Sequence, residues 1–167
     1  MKYYKLTTQQ ANIWNLQKYY EGTSISNLCG AIIYDESRDL IALQQAIHTV
    51  IDSNESLRLR FTEYGEVTQY LADCDIPIEV RAFDSEFELD VYAESVARTP
   101  MSMTDSQMCF FTVFSLGKRS GILAKLNHLI ADAWSFGLIA DKVEDAYQNA
   151  YENLIDFFPR KGGEEAA

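Results

Sequence analysis

The sequence predicts a layered α/β domain, a mixed β-sheet with flanking helices formed as one unit. Three observations predict it. Apolar stripes at helical spacing alternate with short runs of strand length. That alternation lacks the strict β-α-β rhythm of a doubly wound nucleotide-binding fold, and no glycine-rich phosphate loop follows any strand. The 167 residues, 47% hydrophobic and 13% aromatic, suffice for one sizeable core rather than two.

Thr7 and Thr8 cap a first helix, in which Ile13, Leu16 and Tyr20 recur at i, i+3 and i+7 and which ends near Gly22. Leu28 to Tyr34 reads as a buried strand. Asp39 opens a second helix with Leu40, Leu43, Ile47 and Val50 on one face. Leu57, Leu59 and Phe61 alternate as a half-buried strand does, and Glu63-Tyr64-Gly65-Glu66 turns the chain into Val67 to Leu71. A short strand follows at Ile76 to Val80. Leu89, Tyr92, Ala93, Val96 and Ala97 form the cleanest helical stripe, stopped by Pro100. Met108 to Leu116 and Gly121 to Leu126 are two apolar strands around the hairpin segment Gly117-Lys118-Arg119-Ser120. A last helix starts near Ser135 and carries Ile139, Val143, Ala146 and Ala150. Residues 1–160 form the folded unit, and the unpatterned tail from Lys161 to Ala167 frays.

The net charge of -11 argues against nucleic acid as a partner, because phosphate binding rests on clustered Lys and Arg, and the fourteen basic residues are scattered, with groups such as Arg58 and Arg60 tiny. Cys29, Cys74 and Cys109 are odd in number, far apart and without a C-x-x-C pair, so they read as free thiols in a reducing compartment. No stretch approaches the roughly 18 apolar residues that span a bilayer, and the opening residues lack a signal-peptide core. No membrane association and a cytoplasmic location are expected.

Chemistry concentrates in one segment, Leu126-Asn127-His128-Leu129-Ile130-Ala131-Asp132-Ala133-Trp134-Ser135, where an apolar strand ends in a polar cluster ahead of a helix. A strand end fixes the backbone while the following loop exposes side chains, which is where α/β sheets present functional groups. Only His48 and His128 can serve as bases near neutral pH, and His48 falls on the polar side of its helix. His128 alone reads equally well as a structural or a functional histidine. His128 and Asp132 at i, i+4 could reach toward a metal with His48, but no Cys or further His completes a shell, so no metal site is expected.

Asn127 to Ala133 resembles the HHxxxDG signature of the condensation-domain superfamily, the chloramphenicol acetyltransferase-like acyltransferases that include the amide-forming domains of nonribosomal peptide synthetases. His128 takes the place of the second histidine and Asp132 that of the aspartate, with Trp134-Ser135 continuing the pattern. Leu6 to Leu16 is similar to the family's opening motif, and Asn54-Glu55-Ser56-Leu57-Arg58-Leu59-Arg60-Phe61 to its RHExLRTxF motif. Pro100-Met101-Ser102-Met103 stands where a Pro-Phe-Asp-Leu element is usual.

The resemblance implies the N-terminal lobe of a two-lobed pseudodimer, with the C-terminal lobe missing and the lobe-facing surface around His128 unusually apolar. It implies amide formation from an acyl or peptidyl thioester presented on the phosphopantetheine of a peptidyl carrier protein, with no covalently bound cofactor. His128 would be the catalytic residue, its ring at an exposed edge, and Asn127, Asp132 and Arg58 would support the site. A non-catalytic scaffold that binds carrier proteins, or a coenzyme A-dependent O- or N-acyltransferase, are the alternatives. Asn127 replaces the first histidine, Ala133 the glycine, and Ser53 the arginine that commonly pairs with the aspartate. Asp132 is therefore expected to point inward to another partner, with Arg58 and Arg60 as candidates.

Overall fold

The computed structural model describes residues 1–73 and 75–157. Cys74, the end of the expected folded unit at residue 160 and the expected frayed tail lie outside the described residues. The order of elements is β1 (Tyr3–Lys5), α1 (Thr8–Tyr19), β2 (Asn27–Tyr34), α2 (Leu40–Ser53), a 3-10 turn (Glu55–Arg58), β3 (Leu59–Tyr64), β4 (Glu66–Leu71), β5 (Ile78–Phe83), α3 (Glu86–Arg98), β6 (Cys109–Leu116), β7 (Arg119–Asn127) and α4 (Ala133–Phe157).

The main sheet is mixed, in the order β2-β7-β6-β5, with β5 parallel to β6 and the other pairs antiparallel. The parallel pair follows from the connection, because α3 carries the chain back across the sheet before β6 begins. A smaller antiparallel sheet, β1-β4-β3, lies beside it.

Side-chain alternation sorts the main sheet into two buried faces. Cys109, Phe111 and Val113 of β6 and Ile122, Ala124 and Leu126 of β7 meet Leu43, Ile47 and Val50 of α2 and Val143 of α4. Phe114, Leu116 and Leu123 point the other way, onto Leu89, Tyr92 and Val96 of α3. Leu43 and Ile47 are fully buried, each contributing roughly 1.5–3 kcal/mol of apolar transfer. A third cluster joins Trp14 of α1, Phe61 of β3, Met108 and Leu129, and holds the small sheet against the end of β7.

The expected mixed α/β layering is present, and local chemistry moves several boundaries. Leu57 enters the core from the 3-10 turn rather than from a strand, because Asn54 closes α2 and its carbonyl accepts from the Leu57 N–H. The strand expected at Ile76 to Val80 runs from Ile78 instead, after Pro77, which has no N–H for a ladder. The β6–β7 hairpin closes through Gly117-Lys118 alone, with Leu116 opposite Arg119 and Gly117 at φ 60°. In α1 the inward residues are Trp14 and Gln17, flanked by the half-buried Gln10 and Ile13, while Leu16 and Tyr20 of the expected stripe are exposed. Strand β1, only three residues long, carries no period to read.

Candidate functional site

β7 ends at Asn127, a fully enclosed residue whose N–H donates to the Met108 carbonyl at 2.9 Å. Its side-chain oxygen accepts from the Leu129 N–H at 2.9 Å, and its carbonyl from the Ile130 N–H at 3.0 Å. These bonds curl the chain directly after the strand. His128 sits at the bend. The position occupied by a histidine in the signature is thus filled by an amide that satisfies the buried turn without a titrating group.

The His128 backbone N–H donates to the Ser26 carbonyl at 2.9 Å, so the residue is fixed through its main chain. Its half-buried side chain makes no hydrogen bond or ion pair among the described residues, and it lines an open depression of about 260 Å³. Thr7, Gln9, Gln10 and Ile13 from the start of α1 and Leu129 to Asp132 and Ser135 complete the wall. Polar side chains dominate it, so the unusually apolar surface expected around His128 is not there. Apolar exposure lies to one side, on α4, where Trp134 is 79% and Leu138 52% exposed.

Gln10 joins the walls of the depression. Its Nε2 donates to the Leu129 carbonyl at 3.1 Å and to Gln69 Oε1 at 2.9 Å. Its own Oε1 accepts from the Thr7 N–H, while the Thr7 hydroxyl caps the Gln10 N–H. One capping box therefore starts α1 and locks the loop that follows His128.

Asp132 corrects the expectation of an inward carboxylate. It is exposed, and its Oδ1 accepts from the Ser135 N–H at 3.0 Å and from the Ser135 hydroxyl at 2.9 Å, capping α4. The Ser135 hydroxyl bond, then the Ser135 N–H, hold this carboxyl below the usual carboxylate range. Neither Arg58 nor Arg60 pairs with it. Arg58 lies in the 3-10 turn with its Nε buried and unpartnered, and Arg60 Nη1 donates to the Leu59 carbonyl. The helix terminus offers N–H donors and a positive dipole end, so Asp132 needs no arginine. Ala133 begins α4 with a negative φ; among the described residues only Asp105, at 51°, is a non-glycine with positive φ. The backbone at position 133 therefore needs no glycine.

His128 and Asn127 thus stand at the strand end as expected, Asp132 serves the helix rather than the interior, and Arg58 does not join them. His48 is exposed on α2, away from this loop. Sequence reasoning missed the roles of Gln10, Ser26 and Ser135. The Thr7-to-Gln10 spacing of a capping box was the readable signal for the first of them.

A mixed α/β sheet with flanking helices thus delivers an unengaged histidine at a strand end, beside a helix start. The chain belongs to the condensation-domain family, whose sequence profile, Condensation domain, matches residues 1–154. It is 28% identical over 157 residues to surfactin synthase subunit 1 of Bacillus subtilis (strain 168), an alignment covering 87% of this chain and 4% of that protein. Tyrocidine synthase 3 of Brevibacillus parabrevis is 24% identical over 150 residues, covering 88% of this chain and 2% of the other. Among solved structures, a mutant starter condensation domain of rhizomide synthetase superposes with a TM-score of 0.86 at 17% identity, over 91% of this chain and 38% of that one. The first condensation domain of the calcium-dependent antibiotic synthetase, in complex with a substrate analogue, gives 0.84 at 17% identity, over 92% and 39%. The chain therefore spans well under half of the solved condensation-domain chains it resembles. No helix among the described residues is long and apolar enough to cross a membrane.

Proposed function

We propose that this chain supplies the histidine-bearing half of an amide-forming condensation domain. The observation that carries the reading is His128, fixed by its backbone at the end of β7 with its ring unengaged by protein groups and facing an open depression. The donor is an acyl or peptidyl thioester on the phosphopantetheine of a peptidyl carrier protein, and the acceptor is an amine. The amine nitrogen attacks the thioester carbonyl, the C–N bond forms, the C–S bond breaks and the thiol leaves. His128 orients the amine and takes its proton as attack proceeds, which the departing thiolate can then receive. A base in this position typically contributes roughly 10²–10⁴-fold, and holding two tethered substrates together supplies much of the rest. Asn127 and Gln10 act as positioning residues, because both hold Leu129, the residue after His128: the Asn127 side-chain oxygen accepts from its N–H and Gln10 donates to its carbonyl. A cytoplasmic setting and carrier-protein partners go with this reading.

The test is condensation between carrier-bound donor and acceptor, run on this chain alone, on the chain completed by a C-terminal condensation lobe, and on the completed protein with His128→Ala. The chain alone is expected to be inactive and the completed protein active, with a loss of at least about 100-fold in the variant. Unchanged turnover in His128→Ala would overturn the assignment. A completed wild type that binds carrier protein without turnover would favour a scaffold.

A further inference from the structure

A second cavity lies on the opposite face of the main sheet, beneath α3, and shares no lining residue with the His128 depression. Its volume is about 450 Å³, and Ile78, Val96, Phe110 and Leu123 give it apolar walls. Lys125 of β7 sits among them with only 5% of its surface exposed. Its Nζ donates to the Thr99 carbonyl at 3.2 Å and lies 4.9 Å from the centre of the Phe110 ring. An ammonium carries three donors, and one carbonyl and one ring face leave this one short of acceptors. No carboxylate among the described residues pairs with it. The acidic residue in the wall, Glu79, is already held by Arg81 at 2.6 Å and by the Tyr92 hydroxyl at 2.6 Å.

We propose that this cavity binds an apolar monocarboxylate, its head group paired with Lys125 and its tail against Val96, Phe110 and Leu123. The argument is one of charge and shape together. A desolvated ammonium without a counter-ion is costly, and a carboxylate supplies the charge and the acceptors that the protein does not. Burial pushes the Lys125 ammonium down from its ordinary range, which is the cost that a bound anion would reverse. An uncharged ligand of the same shape would fill the space but leave the ammonium as it is. The inference is independent of the condensation reading, because it uses neither His128 nor its loop.

The experiment is calorimetric titration of the 167-residue chain with 4-phenylbutyrate and, in parallel, with its uncharged counterpart 4-phenylbutan-1-ol. The carboxylate is expected to bind at least about tenfold more tightly than the alcohol. Lys125→Met should erase that difference, and Val96→Trp, which fills the cavity, should abolish binding of both. Should Lys125→Met fail to fold by circular dichroism, protection of wild-type Lys125 from acetylation by added 4-phenylbutyrate replaces it, with protection expected. No binding to the wild type, equal affinity for acid and alcohol, undiminished binding in Lys125→Met, or no protection would each overturn the proposal.

Discussion

The backbone N–H of His128 and the carbonyl of Ser26 are hydrogen-bonded at 2.9 Å, and Gln17 extends that bond into helix α1. Gln17 is buried, with its Oε1 accepting from the Ser26 N–H at 3.3 Å and its Nε2 donating to the Tyr20 and Thr23 carbonyls at 3.1 Å each. A single amide thus secures the whole loop against which His128 is set.

Gln17→Leu keeps the volume but strands the Ser26 N–H in a buried place. The expected cost is about 1–3 kcal/mol, read as a lower midpoint in urea unfolding. Amide exchange at His128 should also quicken relative to the core of β6. Unaltered exchange there would show that the loop is held by other means.

Gly121→Ala is expected to destabilise by about 2 kcal/mol or more, since forced overpacking of a core typically costs about 1–3 kcal/mol. A Cβ at this position would stand 2.3 Å from the Ile32 carbonyl oxygen and 2.4 Å from the Phe114 ring. Adding Phe114→Leu should restore only part of the loss, because the Ile32 carbonyl belongs to the backbone of β2. Full recovery in the double variant would place the clash on the ring alone.

The Tyr70 hydroxyl donates to Asp105 at 2.9 Å, and burial, followed by that bond, pushes its pKa up to about 12 from 10. The neutral phenol is the favoured form in the fold, so its contribution to stability is whole below pH 10. It is lost as pH rises through about 12. Ultraviolet titration should show a late tyrosine component, to which the buried Tyr34, Tyr92 and Tyr147 also contribute, and Asp105→Asn should move only the Tyr70 part of it earlier. A tyrosine population titrating together near 10 would contradict the pairing.

The Asp132 cap behaves in the opposite sense. Its carboxyl is held low by Ser135, so the stabilisation is present above the usual aspartate range and disappears as pH falls below it. Ser135→Ala should flatten the acid limb of a melting-temperature profile. An unchanged acid limb would mean that the carboxylate contributes nothing to the start of α4.

Helices α2 and α3 were legible because their inward positions are apolar, so periodicity and burial coincide. The inward face of helix α1, though not its existence, departs from the expected stripe for the converse reason. Two of its inward positions are Gln10 and Gln17, while the apolar Leu16 and Tyr20 face outward. A hydrophobic stripe cannot reveal a face chosen for its hydrogen bonds. The strand order β2-β7-β6-β5 was also out of reach, since pairing depends on contacts distant in sequence. Near the site, the apolar run of β7 ends at Asn127, and His128 follows it directly. The inward Asp132 was an inference from charge burial that ignored the helix beginning one residue later.

The register that pairs Asn27 with Asn127 separates the partners by 100 residues, whereas β6 and β7 meet across a two-residue turn. Closing so wide a loop carries an entropic toll that the hairpin avoids, so the hairpin can form early and β2 must arrive afterwards. The bond from His128 to Ser26 needs both. Residues on both sides of that long loop must therefore have left the ribosome before His128 acquires its fixed place.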